Sequence, residues 1–276
     1  MKFVFLSAIL VSALVLNSCA GKRSRENGPD LVPPAYSTGW YVGGELSSNY
    51  VTYSKKEVVP LFPEKENGPK LDFFVDTLDV LDQAERKMLR DVLYDGLSCQ
   101  DYADNVYNNI KSEYLKTKES AAAQPGESYN RTYRETFDGA VYPSFIVVSR
   151  SYYYLSGGAH GQNEKAFFVL DRETLSKVEL IDILRAGAEN DLRVGINDAL
   201  RARYHVEPGA PLTSAGFLSE TANVPRNFFI SREGLGFCWN PYEISPYSMG
   251  TLEVVLPYAR IEKLLNDKGF KMFKNL

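Results

Sequence analysis

The chain opens with an unbroken apolar run from Phe3 to Leu16, and apolar periodicity then disappears until about residue 50. Beyond that point apolar positions recur every second residue in some stretches and every 3.6 residues in others, which predicts interleaved strands and helices. Tyr50 to Tyr53, Val58 to Phe62 and Leu71 to Thr77 read as strand segments. Leu81, Ala84, Met88 and Val92 share one helical face, with Asp79 and Asp82 near the start and Gly96 past the end. A second helix is expected from about Tyr102 to Lys118, started by a capping-box-like Ser98 to Asp101 and striped by Tyr102, Val106, Ile110 and Tyr114. Ala121 to Gly126 breaks it.

Two long β-rich runs follow, Tyr129 to Phe137 and Val141 to Leu155, and Asp138-Gly139 between them predicts a hairpin turn. A strand from Glu164 to Leu170, a turn at Asp171 to Thr174 and a helix from about Gly187 to Tyr204 come next. A hairpin around Glu233-Gly234 and a last strand carrying Leu252, Val254 and Leu256 complete the pattern, with Pro257 opening a short helix. No repeat of 20 to 50 residues is visible, and the order does not suggest a parallel sheet. The expected class is α+β.

The opening run changes the picture of where such a body would sit. Lys2 before the run, its short length, and Leu16-Asn17-Ser18-Cys19-Ala20 at its end read as a lipoprotein signal over residues 1–18 cleaved before Cys19. Cys19 is the expected lipidation site, giving a chain tethered to a membrane and not spanning it. The segment 19–40 is rich in charge, Pro and Gly and reads as a flexible tether, reaching about 25 Å on average and about 65 Å when drawn straight. No aspartate adjoins Cys19, which by lipoprotein sorting favours the outer membrane of a bacterial cell envelope.

The 276 residues are 44% hydrophobic and 24% charged, a balance that excludes fibrous and wholly disordered classes. With 31 Lys and Arg against 35 Asp and Glu, the net charge of -4 gives no reason to expect nucleic acid as a partner. Removal of the signal with its one lysine leaves 30 basic and 35 acidic side chains, a charge of -5 that favours a basic partner. Once Cys19 carries lipid, Cys99 and Cys238 remain, compatible either with one disulfide or with two buried thiols. There is no CxxC pair, and His160 and His205 lack ligand spacing, so neither a metal nor another cofactor is expected.

Two segments carry the candidate chemistry. In Ser156-Gly157-Gly158-Ala159-His160-Gly161 the glycines either form a tight connection at positive φ, with His160 bonded locally, or let backbone approach a ligand while His160 offers a polar contact. In Asn240-Pro241-Tyr242-Glu243-Ile244-Ser245-Pro246-Tyr247 two prolines prevent a regular ladder, and the tyrosines serve either core-edge packing or ligand contact. Gly157, Gly158, His160, Tyr242 and Tyr247 are the expected binding residues. The glycine segment lacks the Lys-Ser/Thr ending of a phosphate loop, and no G-x-S-x-G elbow occurs, so no catalytic residue is assigned and the chain is read as not an enzyme. The alternatives are an envelope hydrolase that uses His160 with an acidic partner on cell-wall glycan or peptide, and a purely structural envelope protein.

Tyr152-Tyr153-Tyr154-Leu155-Ser156-Gly157-Gly158-Ala159-His160-Gly161, Phe167 to Asp171, and Ile181-Asp182-Ile183-Leu184 resemble the RsiV-like family. Phe228-Phe229-Ile230, Asn240-Pro241-Tyr242-Glu243-Ile244, Pro246-Tyr247 and Glu253-Val254 through Pro257-Tyr258 are similar to the closing pattern of the same domain. Upstream, Val59-Pro60-Leu61-Phe62, the strand from Leu71 and the two helices after it look like the N-terminal domain of PdaC-type deacetylases. The resemblance implies a PdaC-type domain over 41–156 and an RsiV-like domain over 157–276, each a small antiparallel sheet packed against one or two helices. It also implies a non-enzymatic sensing module, and a lysozyme-like muramidase or a peptidoglycan fragment as the ligand.

Overall fold

The computed structural model describes residues 50–124, 129–157, 160–274 and 276. The expected signal and tether, Cys19 and Gly158 lie outside the described residues. Six strands, β1 (Tyr50–Pro60), β2 (Lys70–Val80), β3 (Arg131–Val141), β4 (Phe145–Leu155), β5 (Gln162–Asp171) and β6 (Ser176–Val178), form one sheet in chain order. Helices α1 (Gln83–Leu93), α2 (Cys99–Lys116) and α3 (Lys118–Ala123) carry the chain from the end of β2 back to the start of β3. That crossover makes β2 and β3 parallel, whereas the other neighbours are antiparallel. The second half adds α4 (Glu189–Arg203), an antiparallel sheet of β7 (Phe228–Ser231), β8 (Gly234–Trp239) and β9 (Leu252–Pro257), and the terminal helices α5 (Tyr258–Ile261) and α6 (Asp267–Lys274). The class is α+β.

The local signals for the two first helices work through ordinary capping. The Asp82 carboxylate accepts from the Ala84 and Glu85 amides at 2.9 Å, and the Ser98 hydroxyl accepts from the Asp101 amide at 3.1 Å. Leu81 falls before α1 and is 50% exposed, so the buried stripe of α1 is carried by Met88 and Leu89 instead. Helix α2 lays Ala103, Val106, Tyr107, Ile110 and Tyr114 against Leu71, Phe73, Val75 and Tyr133 of the sheet. Beneath it Glu135 is fully buried, accepting from the Tyr102 and Tyr133 hydroxyls at 3.0 Å each and from Arg150 Nε. Desolvation pushes both phenols well above their ordinary range, so they stay protonated donors.

Three expectations are corrected. The segments at 50–53 and 58–62 are parts of one continuous strand, paired with β2 from Tyr50 opposite Val80 to Pro60 opposite Lys70. Asp138-Gly139 is not a turn: Gly139 lies inside β3 opposite Val148, where a Cβ would sit 2.7 Å from Leu78 Cδ2. The chain turns at Tyr142-Pro143-Ser144-Phe145 instead, closed by the Tyr142 amide on the Phe145 carbonyl at 2.8 Å. Pro143 supplies the fixed φ that a turn needs at its second position. Finally, the division expected between residues 156 and 157 falls inside the β4–β5 hairpin, whose strands pair from Phe145 opposite Asp171 to Tyr154 opposite Gln162.

Strands β4 and β5 face two cores. Ile146, Val148 and Leu170 pack with α1, while Phe145, Val147, Phe167 and Val169 pack with α4 and the three-stranded sheet. Toward the other end of β4 the tyrosine triplet alternates, with Tyr152 and Tyr154 turned to the α2 side and Tyr153 to the opposite face. On that opposite face Ser54, Lys56, Val58, Arg134 and Asp138 are exposed, and Asp72, Phe74, Asp76, Thr136, Ser151 and Tyr153 are half-buried. Cys99 and Cys238 are separate buried thiols, both held above the ordinary range by desolvation. No helix among the described residues is long and apolar enough to cross a membrane.

Strand β6 pairs only with Val169 to Asp171, so the backbone of β5 before that needs other partners on its outer side. Two asparagines provide them. Asn227 accepts from the Phe167 amide and donates to the Lys165 carbonyl, at 2.8 and 2.7 Å. Asn240 accepts from the Lys165 amide and donates to the same carbonyl, at 2.7 and 3.2 Å. One precedes β7 and the other follows β8, so these amides hold the smaller sheet against the larger.

Two outcomes follow. Arg150→Leu leaves the Glu135 carboxylate buried without its cation and is expected to lower unfolding free energy by roughly 3 kcal/mol, read from a urea melt. Asn227→Ala strips partners from the Phe167 amide and the Lys165 carbonyl and is expected to cost roughly 2 kcal/mol, with accelerated hydrogen exchange at the Phe167 amide and little change at the Leu71 amide in β2.

Candidate functional site

The hairpin loop between β4 and β5 and the irregular segment after β8 meet at one corner of the molecule. His160 and Tyr247 stack with ring centroids 4.0 Å apart and planes inclined by 22°, and Tyr242 continues the stack 6.0 Å beyond Tyr247 at 30°. His160 is exposed, Tyr242 is 61% exposed and Tyr247 is half-buried. Three of the five residues expected to bind thus form a single aromatic column. Gly157 lies in the same loop beside the Arg131 side chain, and Gly158 lies outside the described residues.

Each member of the column is held by backbone chemistry beside it. Gly157 has φ +105°, the conformation that favours glycine, and Arg131 Nη1 would lie 2.8 Å from any Cβ there. Gly161 is not at positive φ, contrary to the expectation for this loop. Its lack of a side chain serves packing, because a Cβ would fall 2.4 Å from the Tyr153 ring. The His160 ring donates from Nδ1 to the Gly161 carbonyl at 3.2 Å, which turns Nε2 away from that bond.

The Pro-Tyr segment works as a plug with two displayed rings. Ile244 is buried in the core and its carbonyl accepts from the Leu218 amide at 2.9 Å. The turn from Tyr242 to Ser245 closes through the Tyr242 amide on the Ser245 carbonyl at 2.8 Å, and it puts Tyr242 at φ +72°. A non-glycine residue held there, with its large ring mostly in solvent, carries backbone strain at an exposed position. Leu218, itself 58% exposed, adds an apolar side chain beside this turn.

Asn163 and Tyr153 complete the surroundings. Asn163 Nδ2 donates to the Tyr247 hydroxyl at 3.1 Å, and Asn163 pairs across the sheet with Tyr153. Burial pushes the Tyr153 phenol up, the Tyr247 phenol adds to this and Arg134 opposes it. Asn163, Tyr153 and Leu218 were not singled out from sequence. Their only signal is indirect: a polar amide and a tyrosine at alternating strand positions, which become neighbours of the column once β4 and β5 pair. Among the described residues, the His160 ring contacts the Tyr247 ring and the Gly161 carbonyl. No group of three or more His, Cys, Asp or Glu among the described residues is placed to hold a metal ion.

Residues 181–259 match the family model described as a protein of unknown function, DUF3298. That stretch holds α4, the three-stranded sheet, Tyr242 and Tyr247, and leaves out the loop with His160. No curated protein matches the chain. Among solved structures, the chain is similar to a DUF3298 family member from Bacteroides fragilis, with TM-score 0.74 and 20% identity over 82% of this chain and 96% of that one. It is also similar to a DUF3298 family protein from Pseudomonas aeruginosa, with TM-score 0.53 and 17% identity over 79% of this chain and 94% of that one. These likenesses extend well beyond 181–259 and establish the fold.

Proposed function

We propose that this chain is a non-enzymatic, lipid-anchored binding protein of the bacterial cell envelope that captures a basic, lysozyme-like muramidase through the His160–Tyr247–Tyr242 column. The observation that carries this reading is the column itself: three rings from two segments distant in sequence, stacked and accessible, one of them displayed at φ +72°. Tyrosines with an exposed leucine beside them suit the centre of a protein contact. The RsiV-like resemblance of the same two segments supports a protein ligand, and the expected charge of -5 speeds encounter with a basic one.

The chain enters β1 at Tyr50, while the loop holding His160 follows Leu155, at the end of the sheet where Pro60, Lys70 and Arg131 lie. An 11-residue strand spans about 33 Å, so the column lies at the end of the sheet away from Tyr50. The contacts of His160 also favour binding over the hydrolase alternative, since its ring engages Tyr247 and the Gly161 carbonyl.

Calorimetric titration of the full chain with a c-type lysozyme, at low and at physiological salt, tests the proposal. Binding is expected at both, weakened at least about tenfold by His160→Ala and by Tyr247→Ala, with thermal midpoints unchanged. Heat from peptidoglycan fragments and none from lysozyme would replace the protein ligand with a glycan, and turnover of cell-wall material abolished by His160→Ala would reinstate the hydrolase.

A further inference from the structure

Three stacked rings make a small contact. A stable protein complex covers on the order of 800 Å² on each partner, far more than the column and Leu218 present. The surface that continues from the column is the face of the six-stranded sheet that no helix among the described residues covers. Its side chains run in rows across the strands. One row is Lys56, Phe74, Arg134, Tyr153 and Asn163, and it ends on the Tyr247 hydroxyl. The next is Ser54, Asp76, Thr136, Ser151 and Lys165, and it ends on Glu253 of β9, 2.8 Å from Lys165 Nζ. Five strands span about 19 Å, and three or four such rows about 20 Å along the strands, on the order of 400 Å² of surface adjoining the column.

The charge of this face indicates its occupant. Asp72, Asp76 and Asp138, with Glu253 at the edge, stand against Lys56, Arg134 and Lys165. Arg134 is taken up by Asp72 at 3.3 Å and Lys165 by Glu253. Asp76 accepts from the Ser54 hydroxyl at 2.6 Å, and neither Asp76 nor Asp138 has an ion pair among the described residues. Lys56, opposite Phe74 on the outer strand, stands one row from Asp76. The carboxyl of Asp138 sits above its ordinary range, first through desolvation and then through the neighbouring Asp76 carboxylate, with Lys165 opposing.

We infer that this open sheet face is the main docking surface for a basic protein, with Asp76 and Asp138 receiving its lysine or arginine side chains and Phe74 and Tyr153 packing against it. The inference rests on the proposed capture of a basic protein and adds where that partner sits. A basic surface relieves the mutual repulsion of the two carboxylates, which the neutral hydroxyls of a glycan do not.

The test is titration of the full chain carrying Asp76→Asn and Asp138→Asn together, with c-type lysozyme and with the same lysozyme after lysine acetylation. Both substitutions keep side-chain shape, and an unchanged circular dichroism spectrum and thermal midpoint certify the fold. The pair is expected to weaken binding of unmodified lysozyme about fivefold at low salt, an effect that shrinks as salt rises and is absent for the acetylated protein. Phe74→Ala is expected to bind more weakly at every salt. If the double variant binds like the parent while His160→Ala and Tyr247→Ala do not, the column stands and the sheet face is excluded. If the parent binds no lysozyme, the capture reading and this surface fall together. A dimer in sedimentation that the double variant dissociates would assign the face to a second copy of the chain and overturn the inference.

Discussion

The arrangement turns on the outer edge of β5. Its backbone groups at Lys165 and Phe167 point away from β4, and β6 is too short to reach them. Left bare beside a packed second layer, they would lose water without gaining partners, a penalty comparable to the loss of hydrogen bonds. The amides of Asn227 and Asn240 present a donor and an acceptor at the spacing a neighbouring strand would offer. Because those residues flank the β7–β8 hairpin, satisfying β5 fixes where the smaller sheet stands. Tyr242 and Tyr247 follow Asn240 within a few residues, and His160 precedes β5, so the clamp that finishes the edge also assembles the column.

The same clamp divides the large sheet. One end of β4 and β5 is sandwiched, with Ile146, Val148 and Leu170 against α1 on one side and Phe145, Val147, Phe167 and Val169 against α4 and the small sheet on the other. Among the described residues the other end has helices on one face only, and its second face is polar or half-buried apart from the exposed Val58. A sheet covered on one side needs its helical side securely fastened, and Glu135 does part of this. Its carboxylate joins α2 through Tyr102, β3 through Tyr133 and β4 through Arg150. A buried carboxylate with three donors is specific in geometry more than generous in free energy, since its desolvation offsets most of what the bonds return.

What could be read in advance was local. Helix α2 was legible because its cap at Ser98 and its stripe through Val106, Ile110 and Tyr114 need only neighbours within a turn or two. The α+β class was legible from period alone. Asp138-Gly139 misled because the dipeptide carries a turn preference that tertiary contact overrode: Leu78 takes up the space a side chain at 139 would need, while Tyr142-Pro143-Ser144-Phe145 turns the chain. The parallel β2–β3 pair was invisible for a related reason, since strand direction depends on how α1 to α3 cross the sheet and not on residues within either strand. His160, Tyr242 and Tyr247 could each be picked out, but their stacking could not. It is a consequence of the asparagine clamp, and an asparagine next to a strand looks the same in sequence whether it caps an edge or faces water.

Tyr242 shows how the corner trades stability for display. A glycine at its position would adopt φ +72° without a Cβ in the way, and the chain uses glycine where backbone strain alone is at issue, as at Gly216 and Gly250. Here it keeps a tyrosine and leaves most of the ring in solvent, so packing in the free protein does not repay the strain. The neighbouring Ile244 does the anchoring, buried two residues on, and so the turn is held without Tyr242 having to contribute. An exposed ring that is strained, stacked on a second ring and seated on a buried plug is pre-organised, with little rotamer freedom left to lose. A partner that covers it gains apolar contact at a low ordering cost, which is the condition under which a small cluster of rings carries a disproportionate share of a binding free energy.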